Sequence, residues 1–106
     1  MTFEQLVDMM KQYVANLNVG NNTKKVICNF KVSGAVEGDF HVYLNGSTLE
    51  LNPGEHSEAD LKIKCGTDSI MKMILGGDIM TDFVLGKIKV DGHLEKAMIL
   101  KKLLNL

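Results

Sequence analysis

Apolar positions recur at helical spacing from the start of the chain. Phe3, Leu6, Val7, Met10, Tyr13, Val14 and Leu17 fall at i, i+3, i+4, i+7 intervals, which predicts one apolar face on a helix over residues 2–18. Thr2, with Gln5 three residues later, makes a capping box at its start, and Gly20-Asn21-Asn22 supplies a turn at its end. The period then falls to two. Val26, Cys28, Phe30 and Val32 alternate with Lys25, Asn29 and Lys31, and Phe40, Val42 and Leu44 alternate with His41, Tyr43 and Asn45. Asn45-Gly46 marks a hairpin, beyond which Leu49 and Leu51 continue the inward set. A loop carrying the only proline follows, and then a fourth strand with Leu61, Ile63 and Cys65 inward and Asp60, Lys62 and Lys64 outward.

Past Cys65 the period returns to that of a helix. One short helix is expected from a Thr67 cap to Gly76-Gly77, and about two further turns from Asp78. A fifth strand, with Ile88 and Val90 inward, turns at Asp91-Gly92 into an apolar terminal helix. Each strand has one apolar and one wet face, so the chain is expected to be α+β. It should have a five-stranded, mostly antiparallel sheet with helices packed on one face. With 106 residues and no linker or repeat, residues 1–106 form one expected domain.

Composition narrows the function classes. The net charge of −1 gives no footprint for nucleic acid or an anionic membrane. All 12 basic residues are lysines, which removes the side chain best suited to bidentate phosphate recognition. No apolar run approaches the roughly 18–20 residues of a membrane span, so stable insertion is not expected. Cys28 and Cys65 sit apart in strand-like runs without a CxxC pair, and the N-terminal stretch has acids where a secretion signal has bases. The expected compartment is the cytoplasm.

Chemical constellations are sparse. Cys28 has inward parity and His41 outward parity, so a nucleophile-base dyad would need a bulge, and both cysteines read as buried structural residues. Glu55, His56, Glu58 and Asp60 match neither a calcium loop nor a zinc pattern and read as a solvated loop. Gly76-Gly77-Asp78 is neither GxGxxG nor a P-loop, and a break between helices explains it. His93 reads as a surface residue. No metal or cofactor is expected.

What remains is surplus apolar surface. Met9, Met10, Met71, Met73, Met80 and Met98 all fall in expected helices, and methionine suits surfaces that accept varied apolar shapes as well as ordinary cores. Ile79, Phe83, Val84 and Leu85 add to it. The last helix adds Leu94, Ala97, Met98, Ile99, Leu100, Leu103, Leu104 and Leu106, a stripe wider than a surface helix needs. That stripe either fills the core, walls a cavity, or is buried in a homodimer.

The segment from Glu58 to Leu100 resembles the sterol carrier protein type-2 lipid-binding family. The resemblance is carried by Ala59-Asp60-Leu61, Ile63, Gly76 or Gly77, Phe83, Gly86-Lys87, Lys89, Gly92, Ala97 and Leu100, in the family's order, with the segment from the glycines to Phe83 about one residue shorter than the family's. The family pattern has a proline and a small residue just before the phenylalanine. Here Met80-Thr81-Asp82 stand there, which would put a charge near the mouth of a cavity. The final Leu-Asn-Leu is not a Ser-Lys-Leu peroxisomal address, in keeping with a stand-alone, prokaryotic-type cytoplasmic member.

The resemblance implies a hydrophobic tunnel between sheet and helices. It also implies non-catalytic binding and carrying of fatty acids, fatty acyl-CoA, sterol-like molecules or phospholipids, by a monomer or weak homodimer. Inward parity and that layout assign Phe30 and Val42 to the sheet side of the lipid site. They assign Ile74, Leu75, Met80, Phe83 and Val84 to a mobile wall, and Leu94, Met98, Ile99 and Leu103 to a terminal wall. The competing expectations are an enzyme acting on an acyl or steroid-like substrate, with Asp82 or His41 as base, and a homodimerising module.

Overall fold

A computed structural model describes residues 1–20 and 24–104. Helix α1 (Phe3–Ala15) begins with the expected capping box: the Gln5 N–H donates to Thr2 Oγ1 at 3.2 Å, and the Thr2 N–H to Gln5 Oε1 at 2.8 Å. It ends at Ala15, short of the apolar pattern's reach, where Asn16 caps it and Leu17 still packs on the core. Gly20 has the left-handed backbone expected of a turn, and Asn21 and Asn22 lie outside the described residues.

Strands β1 (Val26–Ser33), β2 (Gly38–Asn45), β3 (Thr48–Pro53), β4 (Leu61–Gly66) and β5 (Lys89–Gly92) form one sheet in the order β3-β2-β1-β4-β5. Its pairs are antiparallel except for β1 with β4, which run parallel with Cys28 opposite Leu61. In the β2–β3 hairpin Asn45 is the last paired residue, opposite Thr48, and Gly46-Ser47 form the loop, with Gly46 left-handed. The expected inward residues of β1, β2 and β4 are all buried on the helix side. They meet Leu6, Met10 and Val14 of α1 and Ile70 and Met73 of α2 (Thr67–Ile74). Phe30 and Phe40 stack at the centre, with ring centroids 4.8 Å apart.

Two expectations about the sheet's faces need correction. Ile27 and Asn29, on the outer side of β1, are buried rather than wet. To reach β4 beside β1, the chain leaves edge strand β3 and must cross the sheet, and the 54–60 segment lies over this outer face. Asn29 makes a two-way clasp with its backbone, donating to the His56 carbonyl at 2.9 Å and accepting the His56 N–H at 2.8 Å. The Asp60 N–H donates to the Ile27 carbonyl at 2.8 Å. At the other edge, β5 begins only at Lys89, so Ile88 precedes it, and only Ile88 of the expected inward pair is buried, because no helix covers Val90.

Thr67 is not the cap of α2. Gly66 holds that position, and Thr67 is the helix's first, buried residue. Its Oγ1 accepts the Val36 N–H at 3.2 Å and shares its proton between the carbonyls of Val36 at 2.9 Å and Ser33 at 3.0 Å. The hydroxyl therefore ties the β1–β2 turn to the start of α2. That helix ends as expected at Gly76-Gly77: left-handed Gly76 lets the Gly77 N–H reach back to the Lys72 carbonyl at 2.7 Å, a Schellman close. Helix α3 (Met80–Val84) and helix α4 (Leu94–Leu103) complete the helical layer.

Candidate functional site

The terminal helix divides its apolar surface between two tasks. Leu100 and Leu104 enter the core, and Tyr13 Oη donates to the Leu104 carbonyl at 3.0 Å, fixing the helix end against α1. Leu94 and Met98 lie on another side and leave 76% and 63% of their surfaces exposed. They form one bank of an open-sided cavity of about 660 Å³ between α4 and the β4–β5 edge. Leu61 and Ile63 make its floor, Val90 its edge and Phe83 of α3 its end, with Lys101 and Lys102 at the rim. The volume is in the range of small-molecule sites, and the walls are almost wholly hydrocarbon.

Asp82 does not stand at the mouth of this cavity. It is only 2% exposed and turned toward α2, where Ser69 Oγ donates to one carboxylate oxygen at 2.7 Å and Lys72 Nζ to the other at 2.9 Å. The Ser69 hydrogen bond first, and then that of Lys72, hold its carboxyl below the usual carboxylate range. Such a group is a weak base at neutral pH, and its lone pairs are engaged in pinning α3 to α2. The sequence expectation of a charge near the ligand is overturned, as is the use of Asp82 as a catalytic base.

The opposite face of the sheet has different chemistry. A second cavity of about 600 Å³ lies under the 54–60 crossover and is lined by polar side chains including Asn29, His56, Lys62 and Asp91. His41 stands on this face too, donating from Nδ1 to the Gly54 carbonyl at 2.9 Å, with its ring edge-on to His56 at 5.2 Å between centroids. Cys28 opposes Val42 and points into the core, so no Cys28–His41 dyad exists. Among the described residues no cluster of His, Cys, Asp or Glu has a geometry that could hold a metal ion. Burial raises the Cys28 thiol far above its usual range and pushes Cys65 up to about 12.

Residues 4–105 match the model of the SCP-2 sterol transfer family. The chain belongs to that family. No match was found among curated proteins. Solved structures similar to this SCP-2 chain share its fold at low sequence identity. A solution NMR structure of palmitated SCP2L2 from Aedes aegypti superposes with a TM-score of 0.76 at 17% identity, covering 100% of this chain and 96% of that one. The apo form of Sterol Carrier Protein 2 from Yarrowia lipolytica gives 0.56 at 17% identity, over 92% and 80% of the two chains. The sec-alkylsulfatase Pisa1 from Pseudomonas gives 0.65 at 18% identity, over 89% of this chain but only 16% of that enzyme.

Within this SCP-2 fold the residues assigned from sequence to a lipid site scatter. Phe83, Leu94 and Met98 line the 660 Å³ cavity together. Phe30 and Val42 do not reach it: both are sealed in the core, because α1 and α2 cover the sheet centre completely. Ile74 lines a separate cavity of about 220 Å³ with Tyr13, Ile79 and Leu104. Ile99 and Leu103 are half-buried against the core, and Leu75, Met80 and Val84 face solvent. Leu61, Ile63 and Val90 were missed as lining residues. Their inward parity was legible, but not that the helical layer leaves the β4–β5 edge uncovered.

Proposed function

We propose that this protein is a cytoplasmic carrier, a monomer or weak homodimer, that binds one lipid in the groove between the β4–β5 edge and helices α3 and α4, without performing chemistry on it. The groove supports this reading: Leu61, Ile63, Phe83, Val90, Leu94 and Met98 present a continuous hydrocarbon lining that the chain's own core does not fill. Membership of a sterol transfer family supports a lipid or sterol as the occupant. The palmitated Aedes aegypti protein of the same fold favours a fatty acyl chain among the candidates, ahead of acyl-CoA, sterol-like molecules and phospholipids. Lys101 and Lys102 at the rim suit an acyl carboxylate.

Burying each methylene contributes about 0.8 kcal/mol, so an ordinary acyl chain gains on the order of 10 kcal/mol before ordering losses. Apolar burial is non-directional, and a lining with so few polar atoms tolerates a range of chains. Two free, buried thiols accord with a reducing compartment.

A fluorescent fatty acid titrated into the protein tests the reading. Saturable binding displaced by unlabelled palmitate is expected, and Met98→Glu should weaken it at least about tenfold while leaving the melting temperature near that of the parent, since this side chain is largely exposed. Absence of displaceable binding, or an affinity indifferent to Met98→Glu, removes the groove as a lipid site.

A further inference from the structure

The groove has a neighbour inside the helical layer, the cavity of about 220 Å³ walled by Met73, Ile74, Ile79 and Leu104. The two spaces share both of their helical walls. On α4, Leu100 lines the groove and Leu104 the smaller cavity, and the Leu104 N–H donates to the Leu100 carbonyl at 2.9 Å. On the turn that opens α3, Ile79 lines the smaller cavity and Phe83 the groove, and the Phe83 N–H donates to the Ile79 carbonyl at 3.2 Å. Each pair spans one helical turn, about 6 Å along the axis. One layer of side chains therefore separates the cavities, with Ile79 and Phe83 on one side and Leu100 and Leu104 on the other, all in the same packed core.

The members of this layer differ in how deeply they sit. Ile79, Leu100 and Leu104 are buried, whereas Phe83 is half-buried and supplies the one aromatic ring of the groove's lining. The backbone beneath that ring is held in place, because Asp82 beside it bonds Ser69 and Lys72 of α2. A ring on a fixed base acts as a stop.

The space beyond the ring suits the tail of a chain rather than its head. Polar groups around it are already engaged: Tyr13 Oη donates to the Leu104 carbonyl at 3.0 Å, and the Gly77 N–H to the Lys72 carbonyl at 2.7 Å. Among the described residues no charged side chain lines it, and Met73, Ile74, Ile79 and Leu104 offer hydrocarbon.

We infer that Phe83 determines the length of acyl chain this groove accepts: its ring is the stop at which the methyl end halts, and the smaller cavity is the continuation that the ring closes off. The inference rests on the carrier reading and adds to it a limit set by one side chain. The smaller cavity has a third of the groove's volume, 220 against 660 Å³, so opening it makes room for several further methylenes. Each methylene taken out of water tightens binding about fourfold. Carbons added to a chain that already reaches the ring stay in solvent and add nothing.

Displacement of a bound fluorescent fatty acid by saturated acids from laurate to behenate, in two-carbon steps, tests this. With the parent protein, affinity should climb with length and then level off. Phe83→Ala should move the levelling-off point at least one step longer and tighten the longest acids at least about tenfold relative to laurate. Phe83→Leu, which keeps a larger apolar side chain in the layer, should shift it in the same direction and carries the test should the alanine variant not fold. Ile74→Trp, which fills the smaller cavity, should cancel the shift when combined with either change while laurate still binds. An unchanged levelling-off point in variants that bind laurate overturns the inference and leaves the carrier reading standing. So does a shift that Ile74→Trp fails to cancel, since the added carbons then lie elsewhere. Absence of displaceable binding in the parent overturns both.

Discussion

Asp60 and Lys96 form an ion pair of 2.8 Å that joins the crossover segment to helix α4, while the other oxygen of the same carboxylate accepts the Ile27 N–H at 2.9 Å. One acid thus holds the wall of the groove, the central strand and the loop on the far face in one arrangement. Asp60→Ala leaves a partly buried N–H and an unpaired ammonium, and should lower stability by about 1–3 kcal/mol. Lys96→Met, which keeps the Ile27 bond, should cost under about 1 kcal/mol. Urea unfolding of the two variants checks the order, and equal losses would contradict it.

Acid should weaken the protein through three carboxylates. Burial alone would raise Asp60, but the Lys96 and Ile27 hydrogen bonds, with the charges of Lys96 and His93, bring it below its ordinary 3.8. Asp82 is lowered from 3.8 by Ser69 and Lys72, and Glu95 from 4.5 by Lys24. A depressed carboxyl adds stability that is present above its unfolded value and lost as the pH falls through its folded one. The urea midpoint should therefore hold down to about pH 5 and fall below about pH 4, with a shallower fall in Asp82→Asn. A midpoint that rises on acidification would refute the assignment.

Gly92 is irreplaceable for a local reason. Its φ is +124°, and a Cβ there would sit 2.4 Å from the Asp60 carbonyl oxygen and 3.0 Å from Leu61 Cα, backbone atoms at the end of the crossover and the start of β4. Gly92→Ala should cost well over about 1 kcal/mol and loosen the β5–α4 junction. Gly46→Ala is the control: it too is left-handed, but with nothing within 4 Å of its Cβ, so its cost should stay near about 1 kcal/mol. Melting temperatures of the pair would reveal a difference only if contact matters beyond backbone angle.

Both thiols should be silent in the native state. Cys28 and Cys65 are buried, and their raised pKa values leave almost no thiolate at neutral pH. A disulfide-exchange reagent should label them only as fast as the protein unfolds, with both reacting promptly in urea. Rapid labelling without denaturant would show an open route into the sheet.

The strands and their inward faces were legible because a two-residue period leaves little choice: Val26, Phe30, Phe40 and Val42 could only share the core side. Less visible was anything set by how elements are connected. The burial of Asn29 depends on a crossover that its own strand does not encode, and the Thr67 hydroxyl reads as a cap in sequence because a helix-initiating hydroxyl looks the same when it bonds a distant turn. The site suffered most. Parity says which side of the sheet Phe30 and Leu61 face, but not which of them the helices cover and which is left to line an open cavity. Asp82 misled for a related reason, since its partners Ser69 and Lys72 belong to the preceding helix.

The parallel pairing of β1 with β4 also imposes an order on synthesis. β1, β2 and β3 can zip together as a local meander, but the free side of β1 has no partner until residues 61–66 have been made and carried across the sheet. Until then a nascent chain presents the unpaired backbone N–H and C=O groups of β1 along an open edge, the kind of surface that recruits strands from other molecules. Chains interrupted between Pro53 and Leu61 should therefore aggregate rather than persist as soluble fragments, which makes the crossover the step that commits this protein to its fold.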